Sequence, residues 1–91
     1  MYINLFYYNT ELIVNLVNDI VRDPVSGFWI ASDKGVLKLD EHLNLSASIQ
    51  FPDEILSEIH ALPYKLYFDA QGLLWVIFED NLIVKLDVES N

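Results

Sequence analysis

Two tryptophans and two aspartates have side chains that could do chemistry. Trp29 and Trp75 present aromatic faces suited to stacking on sugar rings, and the carboxylates of Asp23 and Asp69 could bind a metal ion or transfer a proton. Each tryptophan follows its aspartate by six residues, and the two tryptophans are 46 positions apart (75 − 29). A binding residue is more often unique to one place in a chain. The duplication therefore favours structural roles, with the indoles packed and the carboxylates capping turns.

The other residues with catalytic or metal-binding potential lack the spacing that such chemistry requires. His42 and His60 are the two histidines, and neither stands in a His-x-x-x-His ligand pattern. No serine has the context of a nucleophile elbow, and no run of alternating acids with glycine resembles a calcium loop. The sequence therefore predicts no catalytic site, no cofactor and no metal centre.

The aspartate–tryptophan pair belongs to a longer repeat. The segment DPVSGFWI at 23–30 is answered by DAQGLLWV at 69–76, and GVLKLD at 35–40 is answered by LIVKLD at 82–87. Lys38 and Lys85 are 47 positions apart (85 − 38), so the second copy contains one extra residue between its two halves. A period of about 40–50 residues made of short strands is typical of the blades of a β-propeller.

Turn residues and alternating apolar residues divide each copy into short strands. We predict an all-β fold of antiparallel four-stranded β-propeller blades, about two in number, which makes a partial propeller. Residues 18–50 form a complete blade with strands at 19–22, 28–32, 36–40 and 45–49. Residues 1–17 supply the last two strands of a preceding blade. Residues 64–91 supply the first three strands of a following blade, at 64–68, 73–78 and 82–88.

Residues 51–63 depart from strand chemistry and are predicted to connect the two blades. Pro52, Asp53 and Glu54 suit the start of a helix, and apolar residues follow at 55, 56 and 59 with amphipathic spacing. Pro63 disfavours helical angles in the residue before it. A short helix at 53–61 is therefore expected.

The composition restricts the partners of this chain. Its formal net charge of −9, with five basic residues among 91, argues against nucleic acid and anionic membrane surfaces, which both require clustered Lys and Arg. The chain has no cysteine, no apolar stretch of membrane-spanning length and no visible signal peptide. Its apolar fraction of 53% is somewhat high, as expected where a blade at the end of a stack leaves one face bare. Other propeller blades, or copies of this chain, are the partners that fit.

The repeated Asp…Gly…Trp strand also resembles a known family. Residues 17–36 and 69–76 are similar to the two-component regulator propeller repeat, whose pattern is roughly Asp-x-x-Gly-x-Leu-Trp-Ile/Val-Gly-Thr. The second copy matches the spacing of that core, whereas Gly27 in the first copy stands two residues before Trp29 rather than three. The repeat positions that carry the resemblance are Asp23, Gly27, Trp29, Asp69, Gly72 and Trp75.

The resemblance implies a function that composition and spacing alone do not. In this family such repeats build periplasmic sensor regions, especially of hybrid histidine kinases that respond to oligosaccharides. The resemblance therefore implies that the chain is a periplasmic, non-catalytic segment of a sensor region. Such a segment serves signal transduction by making protein contacts and by binding a ligand, for which the family suggests an oligosaccharide. The alternative is a stand-alone interaction module that closes a propeller by self-association. An enzymatic role would rest on fold analogy alone, because the sequence contains no constellation of acid, base and nucleophile.

Overall fold

The computed structural model describes Asn4 and residues 13–88, which form two antiparallel β-sheets and one short helix. The first sheet contains four strands in chain order, β1 (Val17–Arg22), β2 (Phe28–Ser32), β3 (Gly35–Leu39) and β4 (Leu45–Ser48). The helix α1 (Asp53–Leu56) follows, and the second sheet contains β5 (Pro63–Phe68), β6 (Leu74–Phe78) and β7 (Ile83–Leu86). The all-β, antiparallel fold is thereby confirmed, and the ends of these seven strands lie within two residues of the predicted positions.

The one-residue difference between the two copies lies in the second hairpin of each sheet. In the first sheet Ser32 pairs with Gly35, which leaves a two-residue turn between β2 and β3. In the second sheet the N–H of Phe78 donates to the carbonyl of Leu82 at 2.9 Å, which leaves a three-residue loop. Asn81 adopts the left-handed conformation there (φ 74°), as the last residue of a three-residue hairpin loop commonly does.

The leading strands of the two sheets share an irregularity. The register of β1 against β2 shifts between Val17 and Asp19, and the register of β5 against β6 shifts between Pro63 and Lys65, 46 positions later. A shift of this kind bends a strand and increases its local twist. The repeat thus extends to a feature of the backbone that the residue types did not indicate.

One face of the first sheet packs against the second sheet. The register of β1, β2 and β3 places six of their side chains on this face, which we call the Trp29 face: Asp19, Val21, Trp29, Ala31, Val36 and Lys38. Its apolar members contact the side chains of one face of the second sheet: Leu66, Leu74, Val76, Phe78 and Val84. Trp29 is 6% exposed and Ala31 is fully buried, so this junction is a closed hydrophobic core.

The middle of the opposite face of the first sheet is also buried, whereas Ile20 and Leu45 on the outer strands of this face are 49% and 55% exposed. Ile30, Leu37 and Leu39 form a second apolar cluster with Val14, which is 2% exposed. The central strand β2 is therefore buried on both faces. This accounts for its nearly continuous apolar sequence, FWIAS, where a strand with one solvated face would alternate.

The connection between the sheets contains less helix than the predicted 53–61. The helix α1 has four residues, and beyond it the backbone continues in single turns. The N–H of Glu58 donates to the carbonyl of Ile55 (2.9 Å), and the N–H of Ile59 donates to that of Leu56 (3.1 Å). A segment this short gains too few hydrogen bonds to offset the cost of helix nucleation. Packing of Ile55 and Ile59 against the core between the sheets holds it in place instead.

A side chain of the first sheet anchors the segment before β1. Asp33 Oδ1 accepts hydrogen bonds from the backbone N–H groups of Asn15 (3.0 Å) and Leu16 (3.1 Å). The two strands predicted within residues 1–17 fall mostly outside the described residues, and in the described part residues 13–16 form no strand. The last three positions of the predicted strand segment 64–91 also lie outside the described residues.

Candidate functional site

Each sheet contains a group of one aspartate, one tryptophan and one lysine, which we call the Asp–Trp–Lys group. In the first sheet the indole N–H of Trp29 donates to Asp23 Oδ2 at 2.8 Å, and Lys38 Nζ lies 3.4 Å from the same oxygen. Asp23 Oδ1 accepts from the backbone N–H groups of Val25 (2.8 Å) and Ser26 (3.2 Å). Lys38 Nζ is also 5.6 Å from the centroid of the Trp29 ring, within range of a cation–π interaction.

The second sheet repeats this geometry at the equivalent positions. The indole N–H of Trp75 donates to Asp69 Oδ2 at 2.8 Å, and Asp69 Oδ1 accepts from the N–H groups of Gln71 (2.9 Å) and Leu73 (3.0 Å). Lys85 Nζ lies 5.2 Å from the centroid of the Trp75 ring. The two groups differ in burial, because the first lies at the junction between the sheets and the second is partly open to solvent.

The surroundings of the two carboxylates keep them ionised. Burial alone would raise the pKa of Asp23, but the N–H groups of Val25 and Ser26, the Trp29 indole and the charge of Lys38 together hold that pKa below its ordinary value of 3.8. The pKa of Asp69 is also lowered, chiefly by the hydrogen bond from the Trp75 indole.

Both oxygens of each carboxylate are already engaged by donors of the same chain. Asp23 is 2% exposed, so a metal ion or a substrate proton has no access to it. A general acid also needs a pKa raised toward the working pH, and the shift here has the opposite sign. In each Asp–Trp–Lys group, hydrogen bonds and a charge contact within the chain therefore join a turn, a strand and the neighbouring strand.

The lowered pKa values predict how stability depends on pH. Asp23, Asp33, Asp40 and Asp69 all have pKa values below the ordinary 3.8 in the folded protein, so the unfolded chain binds more protons in acid. The stability that they contribute is fully present above about pH 4 and is lost as the pH falls through their lowered pKa values.

Urea denaturation between about pH 6 and pH 2.5 measures this effect. The free energy of unfolding is expected to stay nearly level above about pH 5 and to decline steeply below about pH 4. Asp23→Asn should flatten the decline, since one of the four protonations no longer contributes. Equal stability at the two ends of this range would contradict the assignment.

A hydrogen-bonded joint between the sheets was not recognised from the sequence. Asp19 Oδ2 accepts from the backbone N–H of Leu66 at 2.8 Å, and the Asn18 side-chain amide donates to the carbonyl of Pro63 at 3.0 Å. Both bonds link β1 to β5 across the junction. The sequence did contain a signal for this joint. Asn18 and Asp19 have no counterparts of the same type in the second copy, where Tyr64 and Lys65 stand at the equivalent positions.

The two repeat glycines occupy different places in their turns. Gly27 adopts a φ of +76°, and a Cβ built on it would overlap the carbonyl oxygen of Leu39. Its N–H donates to Glu41 Oε1 at 3.0 Å. Gly72 adopts a similar φ of +80°, but the space around it is open. Gly27 stands two residues before its tryptophan, whereas Gly72 stands three residues before its own. Only Gly27 therefore lies against the backbone of a neighbouring strand.

The second sheet has one face that nothing in the described residues covers. The register places six side chains on it, and we call it the Trp75 face: Lys65, Tyr67, Trp75, Ile77, Ile83 and Lys85. Tyr67 is 62% exposed and Ile83 is 55% exposed, while Trp75 and Ile77 are half-buried. This face is the repeat counterpart of the Trp29 face, which the second sheet covers.

Neither histidine joins a site. His42 lies exposed in the turn between β3 and β4. His60 is exposed and lines a shallow depression with Ile59, Leu62 and Glu79. Among the described residues no group of three or more His, Asp or Glu side chains is arranged to hold a metal ion. Within that same part of the chain, no helix has the length and apolar character needed to cross a membrane.

Comparison with protein-family models, with curated proteins and with solved structures found no match to this chain. The structure defines it as an all-β protein of two stacked antiparallel sheets with a duplicated Asp–Trp–Lys group. Its similarity to the two-component regulator propeller repeat stays a prediction from the sequence.

Proposed function

We propose that this chain is a non-catalytic β-propeller segment of the periplasmic sensor region of a two-component regulator. Its two sheets act as adjacent blades of the propeller. Its role is to take part in sensing a ligand, an oligosaccharide, and to make protein contacts within the sensor region.

The observation that carries this proposal is the repetition of structure as well as sequence. Both sheets contain the Asp–Trp–Lys group, and in each one the indole N–H donates to the aspartate at 2.8 Å. Both also have a register shift near the start of their first strand, β1 or β5. The two sheets also stack head to tail. The Trp29 face of the first sheet packs against the face of the second sheet that contains Leu66 and Val76, and this face is the repeat counterpart of the first sheet's opposite face. Units that stack in a constant sense, each touching its neighbours, are what a propeller or solenoid requires.

The same groups support the proposal of a non-catalytic role. Asp23 and Asp69, which could act as acids or metal ligands, are engaged by indole and backbone donors, and both histidines are exposed. A segment built in this way contributes shape and contact surface to a larger assembly. Its oligosaccharide ligand is proposed from the family resemblance.

The coding sequence that surrounds this stretch tests the proposal. Further Asp…Gly…Trp units at a spacing of about 46 residues are expected on both sides, together with a membrane-spanning helix and a histidine kinase domain. Calorimetric titration of the sensor region with neutral oligosaccharides then tests the ligand. A coding sequence without further repeat units would contradict the propeller, and one without a kinase would contradict the sensor role.

A further inference from the structure

The last strand of the second sheet has no neighbour on its outer side among the described residues. The first sheet continues from β3 to β4, whereas the second sheet, within residues 13–88, ends at β7. The N–H of Phe78 donates to the carbonyl of Leu82, and hydrogen-bonded and non-hydrogen-bonded pairs alternate along an antiparallel ladder. The backbone N–H and C=O groups of Ile83 and Lys85 therefore point away from β6. A row of outward-pointing backbone groups is a template for a further strand.

The strand β7 has the features of an inner strand and not those of an edge. Edge strands are commonly protected by a bulge, which twists them away from further pairing. The edge strand β4 has such an irregularity, because its register shifts between Lys38 and Leu39 and leaves Ser46 as an extra residue. The strand β7 pairs with β6 without a shift, and its lysine lies over the Trp75 ring. It is therefore open to pairing on both sides.

The first sheet shows which kind of strand fits at this edge. The strand β4 meets β3 with one leucine and two small residues, which are Leu45 opposite Leu39, Ala47 opposite Lys38 and Ser48 opposite Leu37. The counterparts of these β3 residues, 47 positions later, are Leu86, Lys85 and Val84. A strand that pairs with β7 in the same way runs antiparallel to it, with a large apolar residue opposite Leu86 and small residues opposite the other two.

A depression lies beside the end of β7, on the side where that apolar residue would enter. It is lined by the end of β7 and by the start of the connection between the sheets: Ile49, Gln50, Pro52, Leu86, Asp87 and Val88. Its volume is about 180 Å³, which is below the roughly 300 Å³ or more of pockets for small molecules. Leu86 is only partly buried, whereas its counterpart Leu39, which pairs with β4, is 1% exposed. The depression therefore suits one large side chain of a paired strand.

The strand that fits this edge comes from outside the described residues. All seven described strands already pair within their own sheets. A second copy of this chain is disfavoured, because two molecules with a net charge of −9 repel each other. The same charge attracts a segment with basic residues. We infer that β7 binds an extended, basic-flanked segment of a partner polypeptide, which adds a fourth strand to the second sheet by β-augmentation. The inference does not rest on the proposed sensor role.

Titration of the isotope-labelled chain with a synthetic peptide, followed by NMR, tests this inference. The peptide has the sequence of residues 44–50 between two added lysines, because β4 shows which residues fit. Saturable shifts centred on the amides of 83–86 are expected, with a dissociation constant on the order of 100 μM. A peptide with aspartate in place of its leucine should bind about tenfold more weakly or worse, since a carboxylate does not enter the depression.

Ile83→Pro tests the edge itself. Proline removes the outward N–H without removing a bond to β6, so the variant should fold but bind the peptide about tenfold more weakly. Ile83→Val is the matched control, because it keeps the N–H and should leave binding within about threefold. Circular dichroism checks that both variants fold.

Three results would overturn the inference. One is the absence of saturable binding up to about 2 mM peptide, and another is a set of shifts centred away from β7. The third is a chain that dimerises in sedimentation equilibrium without peptide and in which Ile83→Pro abolishes the dimer, because the occupant of the edge would then be a second copy.

Discussion

Replacing Gly27 by alanine is expected to destabilise the protein by about 3–5 kcal/mol. Two causes combine at this position. A residue with a Cβ is strained at the observed φ of +76°, and the added Cβ would overlap the backbone carbonyl oxygen of Leu39. That oxygen belongs to β3 and cannot rotate away as the end of a long side chain could. The turn between β1 and β2 must therefore shift, and the hydrogen bond from the Gly27 N–H to Glu41 is lost with it.

Gly72→Ala is the matched control for this prediction. Gly72 has nearly the same φ, +80°, but no atom lies close to the position of an added Cβ. Its substitution should cost only the conformational strain, about 1 kcal/mol. Urea denaturation of both variants measures the difference. Equal losses at the two positions would show that φ alone decides the cost and that the approach of Leu39 does not matter.

Asp23→Ala is expected to cost about 3 kcal/mol, the second largest effect. The substitution leaves the indole N–H of Trp29 and the N–H groups of Val25 and Ser26 without their acceptor. It also leaves Lys38 beside a buried indole without its counter-ion. Donors that lose their acceptors inside a protein cost more than the hydrogen bonds contributed while intact, since no water replaces the partner.

The other Asp–Trp–Lys group provides the comparison for Asp23. Asp69→Ala removes the equivalent bonds from Trp75, Gln71 and Leu73, but this group is partly open to solvent, so water can satisfy the released donors. A clearly smaller loss of stability is expected. Asp23→Asn should fall between wild type and Asp23→Ala, since an amide oxygen can still accept from the indole. Denaturation midpoints that rank Asp69→Ala as the more damaging change would contradict the role of burial.

Much of the local structure could be predicted from the sequence because strands and turns depend on neighbouring residues. The alternation in Leu45–Ile49 and the turn residues Asp23 to Gly27 locate strand ends to within two residues. The helix expected at 53–61 was too long. Amphipathic spacing shows which side of a segment is apolar, but it does not show how far regular helix continues, and only four residues are helical here.

The partners of the candidate site residues could be predicted only in part. The six-residue spacing of Asp23 and Trp29 showed that the pair recurs, but it did not show that the indole donates to the carboxylate. That bond depends on β1 and β2 being paired across a turn. The joint formed by Asn18 and Asp19 with β5 depends on how two sheets separated by the connecting segment meet, and no local pattern encodes that arrangement.

The sequence by itself determined the duplication, the order of strands and turns, the acidic surface and the lack of a metal-binding or nucleophile motif. These properties follow from residue types and spacings, which act over a few positions along the chain. Only the tertiary structure decided which repeat is enclosed and which is open. Trp29 and Trp75 stand in equivalent positions, yet the first lies in a closed core and the second on an uncovered face. The physical reason is that burial depends on what packs against a face, and that neighbour is distant in sequence.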